Sequence, residues 1–123
     1  MPGHPRTSLA LLSCVVAIVV AAPAQAAHPK MESRLVERIN DVRASHGLRQ
    51  LRVGQTLSDG ARTWARHLVR QDSFHHASLR TGTGEIIAWG TCSWFRPGQA
   101  VRMWLNSSGH RELIMRPGFR VIG

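Results

Sequence analysis

Three polar features stand out against apolar surroundings: the pair His75-His76, Glu85 and His110. Two imidazoles and a carboxylate from separate segments are enough to hold a divalent metal such as zinc. The same set can work as acid and base, because histidine titrates near neutral pH and a neighbouring carboxylate tunes it. The spacing leaves both chemistries open. There is no His-Glu-x-x-His helix motif, and with seven histidines some pairing near a glutamate arises by chance. Other chemistries find less support. No G-x-S-x-G elbow is present. Thr81-Gly82-Thr83-Gly84-Glu85 is glycine-rich but lacks a phosphate-loop lysine and follows no recognisable strand. Cys92 lies near a Trp and an Arg but in no nucleophile motif, and reads as a small side chain. Aromatic residues are few and Tyr is absent, which disfavours a base-stacking platform and nucleic acid as a partner.

Elements that position these residues follow from periodicity. Met31, Leu35, Ile39 and Val42 recur at helical spacing, with Glu32, Arg34, Glu37, Arg38 and Asp41 mainly on the other side. Gly47 is a stop signal, so a first helix is expected over about 32–46. Residues 48–54 read as a connector. Leu57, Ala61, Ala65 and Leu68 mark a second helix, whose other face carries Arg62, Arg66 and Arg70 at i, i+4 and i+8. That stripe reads either as a solvated face or as a contact for an anionic surface. Pro97 suits the first turn of a third helix, since its missing N–H is not needed there. Ala100, Val101, Trp104 and Leu105 give that helix an apolar face. Ser107-Ser108-Gly109 is expected to end it, with a last helical turn over 110–115 and a strand beginning at 120–123. Trp64, Trp89, Trp94 and Trp104 read mostly as core.

Residues 1–26 stand apart. A short basic start, the apolar run Leu9–Ala22 and the Ala24-Gln25-Ala26 site have the order of a secretory signal peptide. The run is shorter than the roughly 20 apolar residues a membrane span needs. A secreted chain beginning near Ala27 is expected, with 27–31 as a leader, 32–123 as one domain and no transmembrane helix in the mature part. Cys14 leaves with the signal peptide, and Cys92 remains as a free thiol or an intermolecular partner. The 16 Lys and Arg fall to 15 without Arg6, against 7 Asp and Glu, and Lys30 is the one lysine. A net +8 favours anionic partners such as cell-envelope polymer or lipid headgroups. A codon bias toward arginine accounts for it equally well.

The order of features resembles the CAP superfamily, the cysteine-rich secretory, antigen 5 and pathogenesis-related proteins, or SCP domain, in its short bacterial form. Asn40 and Arg43 followed by Gly47-Leu48 and Leu51 resemble N-x-x-R…G-L-x-x-L. Residues 57–68 (LSDGARTWARHL) resemble the Ala-rich second helix. Phe74-His75-His76 resembles F-x-H, and residues 84–90 (GEIIAWG) resemble G-E-N-I-A-x-G. Residues 100–111 (AVRMWLNSSGHR) resemble A-V-x-x-W-x-x-S-x-G-H-R, and 119–123 the approach to a following strand. Six loose motifs in order over about 33–123 are specific together.

That resemblance implies an α+β fold, an α/β/α sandwich with a central antiparallel sheet. It implies that the sequence stops at Gly123 short of the family's C-terminal strands, leaving a sheet edge uncovered. It implies a cleft with His76, or His75 if the register slips by one, together with Glu85 and His110. The family's second acid falls at Ser107, Glu112 is a substitute no motif supports, and Ile86 stands where the family has Asn. The family serves extracellular signalling, defence and sterol or lipid binding, with proteolysis proposed for some members. A non-enzymatic binding module with a His/Glu cleft for a divalent metal or small ligand is therefore expected. The alternative is a hydrolase with His110 or His76 as base and Glu85 orienting the ring.

Overall fold

The structure is a computed structural model that describes residues 29–90 and 95–123. Residues 1–26, expected to be a signal peptide, lie outside the described residues, as do Cys92 and Trp94. Helix α1 spans Pro29–Ser45. It starts three residues before the expected boundary, because a proline costs nothing at a first helical position and Glu32 sits favourably in the first turn. Gly47 ends it as expected. With φ at +68° it closes the turn, its N–H bonding the Ala44 carbonyl at 3.0 Å while the Leu48 N–H reaches the Arg43 carbonyl at 2.9 Å.

The connector after Gly47 holds a strand that periodicity did not disclose. Strand β1 (Arg52–Val53) pairs with β2 (Val121–Ile122), in register Arg52 to Val121 and Val53 to Ile122. The ladder is parallel, so the antiparallel sheet implied by the resemblance is not what the described residues form. The reason is local. Two residues per strand give no hairpin, and β2 returns alongside β1 only after three helices. Helix α2 (Gln55–Arg70) leaves the ladder at Gly54. Helices α3 (Pro97–Leu105) and α4 (Ser108–Ile114) follow. Ser108 and Gly109 were expected to end α3 but belong to the first turn of α4. Ser107 adopts the extended conformation of an N-cap, and the Arg111 N–H bonds its carbonyl at 2.8 Å.

The core lies between α1, α3 and α4. Ile39, Ala100, Val101, Trp104 and Ile114 are buried in it, with Leu35, Val42, Ile86, Ala88 and Ile122 packed around them. Each large apolar side chain here contributes roughly 1.5–3 kcal/mol by leaving water. Trp104 also donates its indole N–H to the Ile87 carbonyl at 3.1 Å, which fixes the 84–88 segment to α3. Trp89, expected in the core, is 72% exposed, because it follows Ala88 just where that segment leaves α3.

One polar residue joins this core. Arg43 is fully buried, and its guanidinium donates to the Arg49 carbonyl at 2.9 Å, the Ile114 carbonyl at 2.7 Å and the Arg116 carbonyl at 3.1 Å. Burial, and to a smaller extent the charge of Arg120, lowers its pKa from the ordinary arginine value. Asn40, one turn earlier, clamps Leu51 by accepting from its N–H at 2.8 Å and donating to its carbonyl at 3.0 Å. Replacing Arg43 with Met keeps an apolar stem but leaves three carbonyls without this donor. Urea unfolding of Arg43→Met should show a loss of about 3 kcal/mol or more, whereas a loss below about 1 kcal/mol would mean that the clamp is dispensable.

Candidate functional site

The adjacent histidines take different partners, and only one of them meets Glu85. His75 turns to α2, where its ring meets Trp64 edge-on with centroids 5.2 Å apart, while Trp64 stacks on His67 at 4.9 Å. His76 turns the other way and meets Glu85, Nδ1 to Oε1, at 2.7 Å. The same Oε1 accepts the Ala77 N–H at 3.0 Å. Glu85 is mostly buried, at 17% exposure, and His76 is mostly open, at 57%. The carboxylate is thus a fixed post for a solvent-facing ring. An ionised carboxylate can only accept, so His76 donates from Nδ1–H, and in the neutral ring Nε2 keeps its lone pair.

Gly84 brings Glu85 up to α4. A Cβ at position 84 would lie 2.8 Å from Leu113 Cδ2 and 3.1 Å from the Phe119 ring, so a larger residue would require those side chains to shift. His110 is half-buried in the first turn of α4, three residues before Leu113 and therefore on the same helix face. No hydrogen bond, ion pair or ring contact joins His110 to His76 or Glu85 among the described residues. The fold does not complete a metal shell. Among the described residues no three His, Cys, Asp or Glu side chains gather closely enough to hold an ion. A preformed zinc centre with His76, Glu85 and His110 as ligands does not fit this arrangement, since such a site draws on three or four protein ligands at about 2 Å.

The other sequence candidates separate clearly. Ser107 is the N-cap of α4 and brings no carboxylate. Glu112 is turned outward and pairs with Arg116 at 2.9 Å, one helical turn away, so it is no substitute acid. Arg62 is not part of a free cationic stripe. Its guanidinium grips Glu32 of α1 with two bonds, 2.8 and 2.6 Å, and also reaches Asp59 at 3.0 Å. The hydrogen bonding to Glu32 is the main cause of its raised pKa. Position 62 faces the first turn of α1, which makes it a tie between helices. Arg66 and Arg70 are exposed. The Ala77 N–H was not foreseeable from residue types, because a backbone donor leaves no trace in composition.

The chain matches the profile of the cysteine-rich secretory protein family, CAP, over residues 36–123. The uncharacterised protein YkwD of Bacillus subtilis (strain 168) is 33% identical over 107 residues, covering 75% of this chain and 40% of that protein. The chain therefore spans less than half the length of that relative. Among solved structures, an outer surface protein of Borrelia burgdorferi superposes with a TM-score of 0.67 at 23% identity, over 78% of this chain and 80% of that one. That likeness is one of fold.

Glu85 should hold the 74–77 segment through the Ala77 amide. Hydrogen exchange at Ala77 is expected to speed up about tenfold or more in Glu85→Ala, and much less in Glu85→Gln, whose amide oxygen can still accept. Equal exchange in all three proteins would remove Glu85 from that role.

Proposed function

This chain belongs to the CAP family and has its α+β fold, and from that premise we propose that it is an exported, non-enzymatic binding module. The order of basic, apolar and small-residue stretches in residues 1–26 supports export. No described helix is long and apolar enough to cross a membrane. The finer architecture we read as the α/β/α sandwich of the family, on the strength of the matched profile over residues 36–123. The exposed Arg66 and Arg70 extend the reading to an anionic polymer or lipid surface.

The observation that carries the binding role is the His76–Glu85 pair. A mostly buried carboxylate fixes a largely exposed ring, whose other nitrogen, Nε2, is left for a ligand. Such a nitrogen accepts a hydrogen bond from a hydroxyl or amide, and after protonation donates to a carboxylate. The pair therefore suits a small polar ligand. The same pair resembles the base and orienting acid of a hydrolase, but Ser107 stands where a second acid would.

Ring signals of His76 can be followed by NMR while acetate, acetamide, glycerol or zinc chloride is added. A saturable shift with at least one organic probe is expected, weakened about tenfold, or 1.4 kcal/mol, by Glu85→Gln. No saturable shift with any of them would overturn the proposal. A response to zinc alone would replace it with a metal site assembled on binding. Turnover of p-nitrophenyl acetate abolished by Glu85→Gln would replace it with the hydrolase.

A further inference from the structure

A second place in the molecule gathers charge without using it. Between α1 and α3 runs an open groove of about 490 Å³, lined by Arg34, Arg38, Arg96 and Arg102 together with Glu37 and Asp41. It shares no residue with the His76–Glu85 site. On α1 these arginines and acids sit three apart, the spacing at which opposite charges meet. Yet the ion pairs of the described residues are those of Arg62, His76 and Arg116. Four arginines thus line one hollow, and among the described residues none of them is in an ion pair.

The lining selects a ligand chemistry. A guanidinium presents a planar fork of donors that matches phosphate oxygens two at a time, and it stays charged at any physiological pH. A carboxylate ligand occupies one fork, whereas a phosphate group offers acceptors to several. Glu37 and Asp41 are acceptors only and repel an anion, but they receive hydrogen bonds from hydroxyls. Four cations against two anions leave the groove at net +2, enough for one phosphate. Arg38 and Arg102 also border an adjoining hollow of about 270 Å³ whose walls include Val42, Val101 and Leu105 along the same α1–α3 seam. A substituent on the phosphate has room to continue there.

We propose that the α1–α3 groove binds a polyol phosphate ester, its phosphate held by Arg34, Arg38, Arg96 and Arg102 and its hydroxyls by Glu37 and Asp41. The ester is either a soluble polyol phosphate or the headgroup of an anionic phospholipid, the chemistry being the same.

Calorimetry of the full chain with glycerol 1-phosphate, inorganic phosphate and glycerol tests the groove, and co-sedimentation with phosphatidylglycerol or phosphatidylcholine vesicles separates the sources. The groove variant is Arg38→Gln with Arg102→Gln. The control, Arg49→Gln with Arg80→Gln, removes equal charge at exposed positions elsewhere. Circular dichroism checks that both fold. Saturable binding of glycerol 1-phosphate, or recruitment to phosphatidylglycerol vesicles, is expected to fall about tenfold or more in the groove variant and less than about twofold in the control. Binding of the soluble ester without vesicle recruitment assigns the soluble source, and vesicle recruitment alone assigns the lipid. Equal losses in both variants would reduce the effect to net charge and overturn the site. Absence of binding to either probe would overturn it too, leaving the arginines as solvated neighbours of Glu37 and Asp41. Should the groove variant fail to fold, Glu37→Gln with Asp41→Asn serves instead. It should leave inorganic phosphate binding intact or stronger and weaken the preference for the ester over inorganic phosphate, and an unchanged preference would contradict the assignment.

Discussion

A buried guanidinium with no carboxylate partner is the constraint around which this fold is arranged. Taking a charge out of water costs several kcal/mol unless its donors are satisfied. Arg43 meets most of that condition with three carbonyls, one nearby at 49 and two distant in sequence at 114 and 116. The acceptors are of a particular kind. Ile114 is the last residue of α4, where carbonyls have no partner within the helix and the backbone dipoles concentrate negative charge. The charge stabilises the end of α4, and the end of α4 solvates the charge. The remaining terminal nitrogen, Nη2, is buried without a hydrogen-bond partner.

The site inherits its geometry from that clamp. With α4 fixed to α1, Leu113 and Phe119 form the surface on which Gly84 rests. Trp104 holds the same segment from α3 through the Ile87 carbonyl. Glu85 then has one place to be, and it engages both the His76 ring and the Ala77 amide. Core packing and cleft chemistry are therefore one problem: an 84–88 segment that is apolar at Ile86 and Ala88 for the core and acidic at Glu85 for the cleft.

Much of this was readable in the sequence, and the reasons differ by element. The apolar spacing of α1 and α3 fixed their existence and inner faces, and Gly47 marked a stop that its positive φ explains. The family resemblance carried His76 and Glu85 as partners, which spacing alone could not do. What stayed hidden was the part made by backbone and by chain return. The ladder of β1 and β2 has two residues on each side, too short for any alternation to register. Arg62 looked like one rung of a cationic stripe because its acid partner, Glu32, is thirty residues away in another helix. Trp89 looked like core because large aromatic residues bury area, but its position depends on where the chain departs from α3. The break after Leu105 fell at Ser107 and not after Gly109, because a serine in extended conformation starts a helix as readily as a polar run ends one.

The central claim is that Glu85 sets which nitrogen of His76 is free. Long-range nitrogen–proton NMR reads this directly, at a pH where the ring is neutral. The account predicts a proton on Nδ1 and a bare Nε2 in the native chain, and a change in that balance in Glu85→Ala. A proton on Nε2, or a tautomer balance indifferent to the loss of Glu85, would contradict it.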